Sequence, residues 1–155
     1  MTSPVAAALQ TALAAEHAAV YGYGIAGAHL ATVPRRLAAA RRDWAIHEAA
    51  RDRLSAMLSA RGAVPAPAAV SYALPFPVRS ANAAAALAAL LEDRVATAYL
   101  GLVALTDPGL RAFGARSVRT AAVRAAAWRG HTVAFPGLTD PAAGPGRTDA
   151  APAGS

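Results

Sequence analysis

Two glutamates, Glu16 and Glu92, are each followed seven residues later by a tyrosine, Tyr23 and Tyr99. Seven residues is about two helical turns, so in a helix each Glu–Tyr pair shares a face. His47 has Asp43 four residues before it, and Arg51 and Arg124 recur at the helical spacing of their apolar neighbours. These types support two chemistries. A carboxylate–imidazole set suits Fe²⁺, Mn²⁺ or Zn²⁺. A carboxylate–guanidinium set forms bidentate ion pairs. The two compete at one site, because an arginine beside a metal repels it.

The elements that must carry these residues follow from the apolar period. Over residues 5–31 the positions Leu9, Leu13, Glu16, Val20, Tyr23, Gly27 and Leu30 recur at steps of three and four, which predicts a helix with one inward seam. Ser3 and Pro4 supply an N-cap and a first-turn proline. A second helix, 34–61, has the seam Leu37, Ala40, Trp44, His47, Arg51, Leu54 and Leu58, with Gly62 closing it. Residues 63–79 hold Pro65, Pro67, Pro75 and Pro77, which forbid a regular helix there. Tyr72, Leu74 and Phe76 alternate in this stretch and are expected to lie against the helices. A third helix, 81–106, capped by Ser80 or Asn82, has the seam Ala85, Ala88, Glu92, Val95, Tyr99 and Leu102. Asp107–Pro108 ends it and starts a fourth, 108–130, whose seam reads Leu110, Phe113, Ser117, Thr120, Arg124, Trp128 and His131. The recurrence of a Glu–Tyr pair in helices one and three is a weak internal repeat and points to a duplicated helical hairpin.

Composition agrees with an all-α fold. Of 155 residues 47 are alanine, while valine and isoleucine number only 11 and 2, too few for a sheet core. One narrow core in one domain is expected, residues 1–135, followed by a disordered Pro/Gly/Ala-rich tail at 136–155. With no cysteine, disulfide frameworks, thiol nucleophiles and iron–sulfur clusters are excluded. The N-terminus has no basic n-region, and no apolar run reaches the length of a membrane span, so a cytoplasmic location without a membrane span is expected. The net charge of +6 comes from 15 arginines and no lysine. Those arginines are spread along the chain without an aromatic-interleaved cluster, so no nucleic-acid partner is expected.

Two hairpins joined by a long crossover between helices two and three resemble the ferritin-like antiparallel four-helix bundle. The stretches LAAEHAAVYGYGIAGAHL at 13–30, HEAARDRLSAMLSARGA at 47–63, LEDRVATAY at 91–99 and FPG at 135–137 resemble an actinobacterial ferritin-like family, a domain of unknown function. The likeness covers most of residues 5–137. It implies a di-iron site built from one Glu on each of two helices and a Glu-x-x-His pair on each of the others. Glu16 and Glu92 match the single glutamates. The pairs are missing: Glu48 is followed three residues later by Arg51, and helix four has no acid on its seam.

A complete di-metal site therefore cannot be assembled. Two buried carboxylates still need positive charge. The expected substitute is a core polar network of Glu16, Tyr23, His47, Arg51, Glu92, Tyr99 and Arg124, with two guanidiniums standing where iron would be. No catalytic residue and no cofactor is the first expectation. The alternative is a degenerate site in which Glu16, His47 and Glu92, helped by Asp43 or Glu48, hold Fe or Mn.

Other features have plainer readings. Residues 22–27, GYGIAG, match G-x-G-x-x-G, but a dinucleotide loop needs a strand before it, and here the motif lies inside a helix. Its glycines fit close helix packing. Trp44 and Trp128 fit core filling, His17 and His29 fit surface positions, and Ser117 has no base near it. Three functions from different classes remain: a non-catalytic binding or interaction module, a metal-dependent oxidoreductase or storage protein, and a small-molecule carrier lidded by residues 63–79. The first is favoured, with an unknown small molecule or protein as partner. A homodimer would bury area that a thin alanine-rich bundle lacks.

Overall fold

The computed structural model describes residues 3–132. They form a four-helix bundle of α1 (Pro4–Ala28), α2 (Pro34–Ser59), α3 (Ala81–Val103) and α4 (Pro108–Arg129), with no strand among the described residues. The tail expected at 136–155 lies outside them.

The helix ends are written in local side chains. The hydroxyl of Ser3 accepts from Ala6 N at 3.1 Å, that of Ser80 from Ala83 N at 3.1 Å, and the carboxylate of Asp107 from Leu110 N at 2.9 Å. Each meets one of the orphan amides of a first turn. Pro4, Pro34 and Pro108 occupy first-turn positions where no amide is missed. Beyond α2, Gly62 takes φ +71°, so Ala63 N reaches Leu58 O at 3.1 Å and Gly62 N reaches Ser59 O at 2.9 Å. That is a Schellman closure, which a left-handed glycine allows. Helix α1 stops at Ala28, short of the expected 31, where His29 N turns to Ala26 O and Leu30 N to Gly27 O, and Val33 lies outside the helical region before Pro34. Leu30 is still fully buried, now from the turn.

Contacts set the directions. Glu16 meets His47 and Val20 meets Trp44, so α1 and α2 run antiparallel. Tyr23 meets Glu92 and Glu16 meets Tyr99, so α1 and α3 do too. Tyr99 meets Phe113 and Glu92 meets Arg124, which makes α4 antiparallel to α3. The backbones approach in the pairs α1–α2, α1–α3 and α3–α4. Helices α2 and α4 meet through side chains, with Trp128 on Asp43 and the Arg53 guanidinium 4.4 Å from the Phe113 ring centroid.

Residues 60–80 touch α1 at successive points. Gln10 bonds Val64 O at 2.7 Å and Ala66 N at 3.0 Å, His17 Nε2 lies 3.1 Å from Ala66 O, and Tyr72 packs on Tyr21. Of the alternating residues expected to lie inward, Tyr72 and Phe76 do. Leu74 is exposed, and the buried residue is Val78.

The core has two apolar layers. Leu9, Leu13, Leu54, Leu58, Tyr99 and Phe113 belong to one, and Tyr23, Leu30, Ala40, Leu87 and Leu91 to the other. Glu16, His47 and Glu92 fall between them along their own helices. Small residues let the helices close. A Cβ on Gly114 would lie 2.9 Å from Leu102 Cβ and 3.1 Å from both Tyr99 O and Val103 N, whereas Gly24 has nothing within 4 Å.

Gly114→Ala is therefore expected to destabilise the fold by about 1–3 kcal/mol, because backbone cannot move aside. Gly24→Ala is expected to stabilise it by up to about 1 kcal/mol through helix propensity. Urea denaturation of the two variants checks this, and a shift of the same sign in both would contradict it.

Candidate functional site

The polar layer draws on all four helices. Glu16 and Tyr23 come from α1, His47 from α2, Glu92 and Tyr99 from α3, and Arg124 from α4. Glu16 is 2 % exposed, and His47 and Glu92 are 0 % exposed, so none of these groups has water to answer its charge.

His47 bridges the two glutamates. Its Nδ1 lies 2.6 Å from Glu16 Oε2 and its Nε2 lies 3.0 Å from Glu92 Oε1. The tyrosines cross over: Tyr99 donates to Glu16 Oε1 and Tyr23 donates to Glu92 Oε1, both at 2.7 Å. Arg124 Nε donates to the same Glu92 Oε1 at 2.8 Å. One carboxylate oxygen thus takes three donors, while Glu92 Oε2 is buried without a hydrogen-bond partner. The Tyr23 ring stacks on the His47 ring with centroids 5.1 Å apart.

Burial and partners set the protonation states. Burial pulls His47 down, but its bonds to Glu16 and Glu92 outweigh that and push it up to about 9. The ring is an imidazolium that donates twice. Burial pushes Glu92 up, yet the His47 and Arg124 donors hold it below the usual carboxylate value. Both tyrosines are pushed far up, first by burial and then by the glutamate each one faces, so both stay neutral donors. Burial opposes the charge on Arg124, and Glu92 more than restores it.

Asp43 extends the layer. It is 1 % exposed, and its Oδ2 accepts from Trp128 Nε1 at 3.0 Å while its Oδ1 accepts from Arg42 Nε at 3.1 Å. The helical period puts Trp44 on the α2 seam and leaves Asp43 beside it, so the full burial of Asp43 is decided by the tertiary packing. Its partner Trp128 had been expected only as core filling.

Six of the seven expected network residues come together. Arg51 does not. Its guanidinium turns outward to Asp52 at 2.9 Å and Glu48 at 4.0 Å. Both oxygens of Glu16 are already taken by His47 and Tyr99, and a long arginine stem readily carries its charge toward water. Trp44 is not core filling either. It is 39 % exposed, with its indole N–H on Val20 O. Thr120 on α4 and His131 beyond its end are exposed, and Gly114, Ala121 and Ala125 fill the seam instead.

The donor set does not suit a metal as arranged. Glu16, His47 and Glu92 converge, but both His47 nitrogens are spent on carboxylates, and a metal needs a ring lone pair. Among the described residues no group of three or more His, Asp or Glu side chains has the geometry to hold a metal ion.

Residues 8–140 match the family described as a domain of unknown function (DUF4439). The chain belongs to this family. It is also similar to a solved structure of a conserved hypothetical protein, rv2844, from Mycobacterium tuberculosis, with 37 % identity and a TM-score of 0.77 over 83 % of this chain and 98 % of that one. No curated protein matches the chain. All six network residues lie inside the span matched to DUF4439.

The stability of this DUF4439 domain should depend on pH in a stated direction. His47 rises from 6.5 to about 9 on folding, so its contribution is complete below pH 6.5 and is lost as pH climbs through about 9. Glu92 falls on folding, so its contribution is present above the free carboxylate value and is lost in acid. The urea midpoint is expected to be highest on the acid side of neutrality and to decline toward pH 9. Tyr99→Phe should cost about 1–3 kcal/mol by orphaning a buried carboxylate oxygen. Arg51→Ala should change stability by less than about 0.5 kcal/mol. Equal losses in the two variants would refute this assignment of the network.

Proposed function

We propose that this DUF4439 domain is a non-catalytic, ferritin-like binding or interaction module without a complete di-iron site. Its Glu/Arg/His network stands where that fold would place metal. The observation that carries this reading is the triple donation to Glu92 Oε1 from Tyr23, His47 and Arg124. The charge a metal would supply to buried glutamates comes here from an imidazolium and a guanidinium. That compensation makes the layer a structural element, since a buried carboxylate with bonded cations is stable without any further ion. Binding then falls to the surfaces and clefts that the bundle holds in place. No helix among the described residues is long and apolar enough to cross a membrane.

A second reading is supported by one feature. Glu92 Oε2 is a buried, unpartnered carboxylate oxygen beside Glu16 and His47. If His47 turned one nitrogen away, Glu16, His47 and Glu92 could ligate Fe or Mn, as in a degenerate oxidoreductase or storage site.

Elemental analysis of untagged protein, purified without chelator and then challenged with Fe²⁺ and Mn²⁺, separates the two. The expected result is no stoichiometric metal, together with a loss of about 3–5 kcal/mol of stability in Arg124→Met, which leaves Glu92 short of a cation. Stoichiometric metal that Glu16→Ala abolishes would establish the second reading instead.

A further inference from the structure

The first turns of α2 and the last turns of α4 stand apart enough to leave a cleft of about 300 Å³. Arg35, Arg36, Arg42, Arg124 and Arg129 line it around Trp128, so five of the chain's 15 arginines face one concavity. Three of them are paired with acids. Arg42 lies 3.1 Å from Asp43, Arg124 lies 2.8 Å from Glu92, and Arg129 pairs with Asp93. Asp43, the acid in the wall, also accepts the Trp128 N–H. Arg36 donates only to the neutral Asn82 Oδ1 at 3.0 Å, and Arg35 pairs with no acid among the described residues.

Two positive charges, Arg35 and Arg36, are thus unanswered by acids in a cleft whose other three arginines are paired. The start of α2 adds to the positive field, because Val33 gives it no side-chain cap. A second cleft of about 480 Å³ shares Arg36, Trp128 and Arg129 and leaves room beside the first.

We propose that the α2–α4 cleft binds the phosphate group of a small molecule, as a monoester or a diphosphate. Charge separates this from a carboxylate ligand. A phosphate monoester carries about −1.5 to −2 at neutral pH, which matches the two unpaired arginines, whereas a single carboxylate leaves one of them unanswered. Guanidinium forks also fit phosphate oxygens pairwise. This inference rests on the reading of the chain as a binding module and names its ligand class.

The test is calorimetric titration of the full chain with inorganic phosphate, pyrophosphate and AMP at about 0.15 M salt, where unspecific surface attraction is screened. Saturable binding at one site per chain is expected. The paired substitution Arg35→Ala/Arg36→Ala should weaken it about tenfold. It should leave the urea midpoint of the free protein unchanged, since both side chains are exposed and carry no acid. Tighter binding of AMP than of phosphate would assign the group to a nucleotide reaching into the second cleft, and equal binding would assign it to free phosphate. No saturable binding of any of the three, or binding that the paired substitution leaves intact, overturns the proposal. If binding fails while elemental analysis finds no metal, only the ligand class falls. Stoichiometric metal in that analysis removes the non-catalytic reading whatever the cleft does.

Discussion

A carboxylate taken out of water must be met by protons or cations, at a cost of several kcal/mol if it is not. Glu92 and Glu16 impose that requirement at the middle of this bundle, and the surrounding architecture answers it. Each of the four helices places a group in the same layer. Tyr23 and Tyr99 cross between α1 and α3 to reach the opposite glutamate, so the two helices are bound twice by the same type of bond. The apolar layers on either side exclude water. They thereby strengthen these bonds and make them obligatory at once.

The internal repeat gives this layer its shape and also its asymmetry. Glu16 and Tyr23 in one half answer to Glu92 and Tyr99 in the other. The cation-bearing helices are unequal: α2 supplies His47, which bridges both glutamates, while α4 supplies Arg124, which reaches only Glu92. Donors therefore crowd one oxygen of Glu92 and leave the other bare. Helices α2 and α4 meet through Asp43, Trp128, Arg53 and Phe113 more than through backbone approach. The arginine-lined cleft occupies the space this leaves at one end. A structural core and a charged concavity are thus two results of one arrangement of helices.

Much of the fold was legible in the residues. Ser3, Ser80 and Asp107 act on amides three residues away, Gly62 acts within the last turn of α2, and prolines act on their immediate neighbours. Such local effects need no knowledge of the rest of the chain. The inward positions of Glu16, Glu92, Tyr23, Tyr99 and His47 followed from helical period alone, because one face of each helix had to be buried. Arg51 and Trp44 show where period fails. Each sits at the edge of a seam, where a turn of a few tens of degrees decides between core and water. A long arginine with acids outside, and an indole with a carbonyl outside, both went outward. Asp43 went inward because Arg42 and Trp128 were there to meet it.

By itself the sequence determined four helices, where they begin, and two buried glutamates that demand compensation. These follow from short-range bonding and from the hydrophobic period, which each segment carries alone. Only the tertiary structure decided which cations answer the glutamates, that one carboxylate oxygen stays bare, and that five arginines share a cleft. Those outcomes depend on distances of a few ångströms between helices far apart in the chain. Pairing there is settled by which donors are already taken, and no local pattern records that.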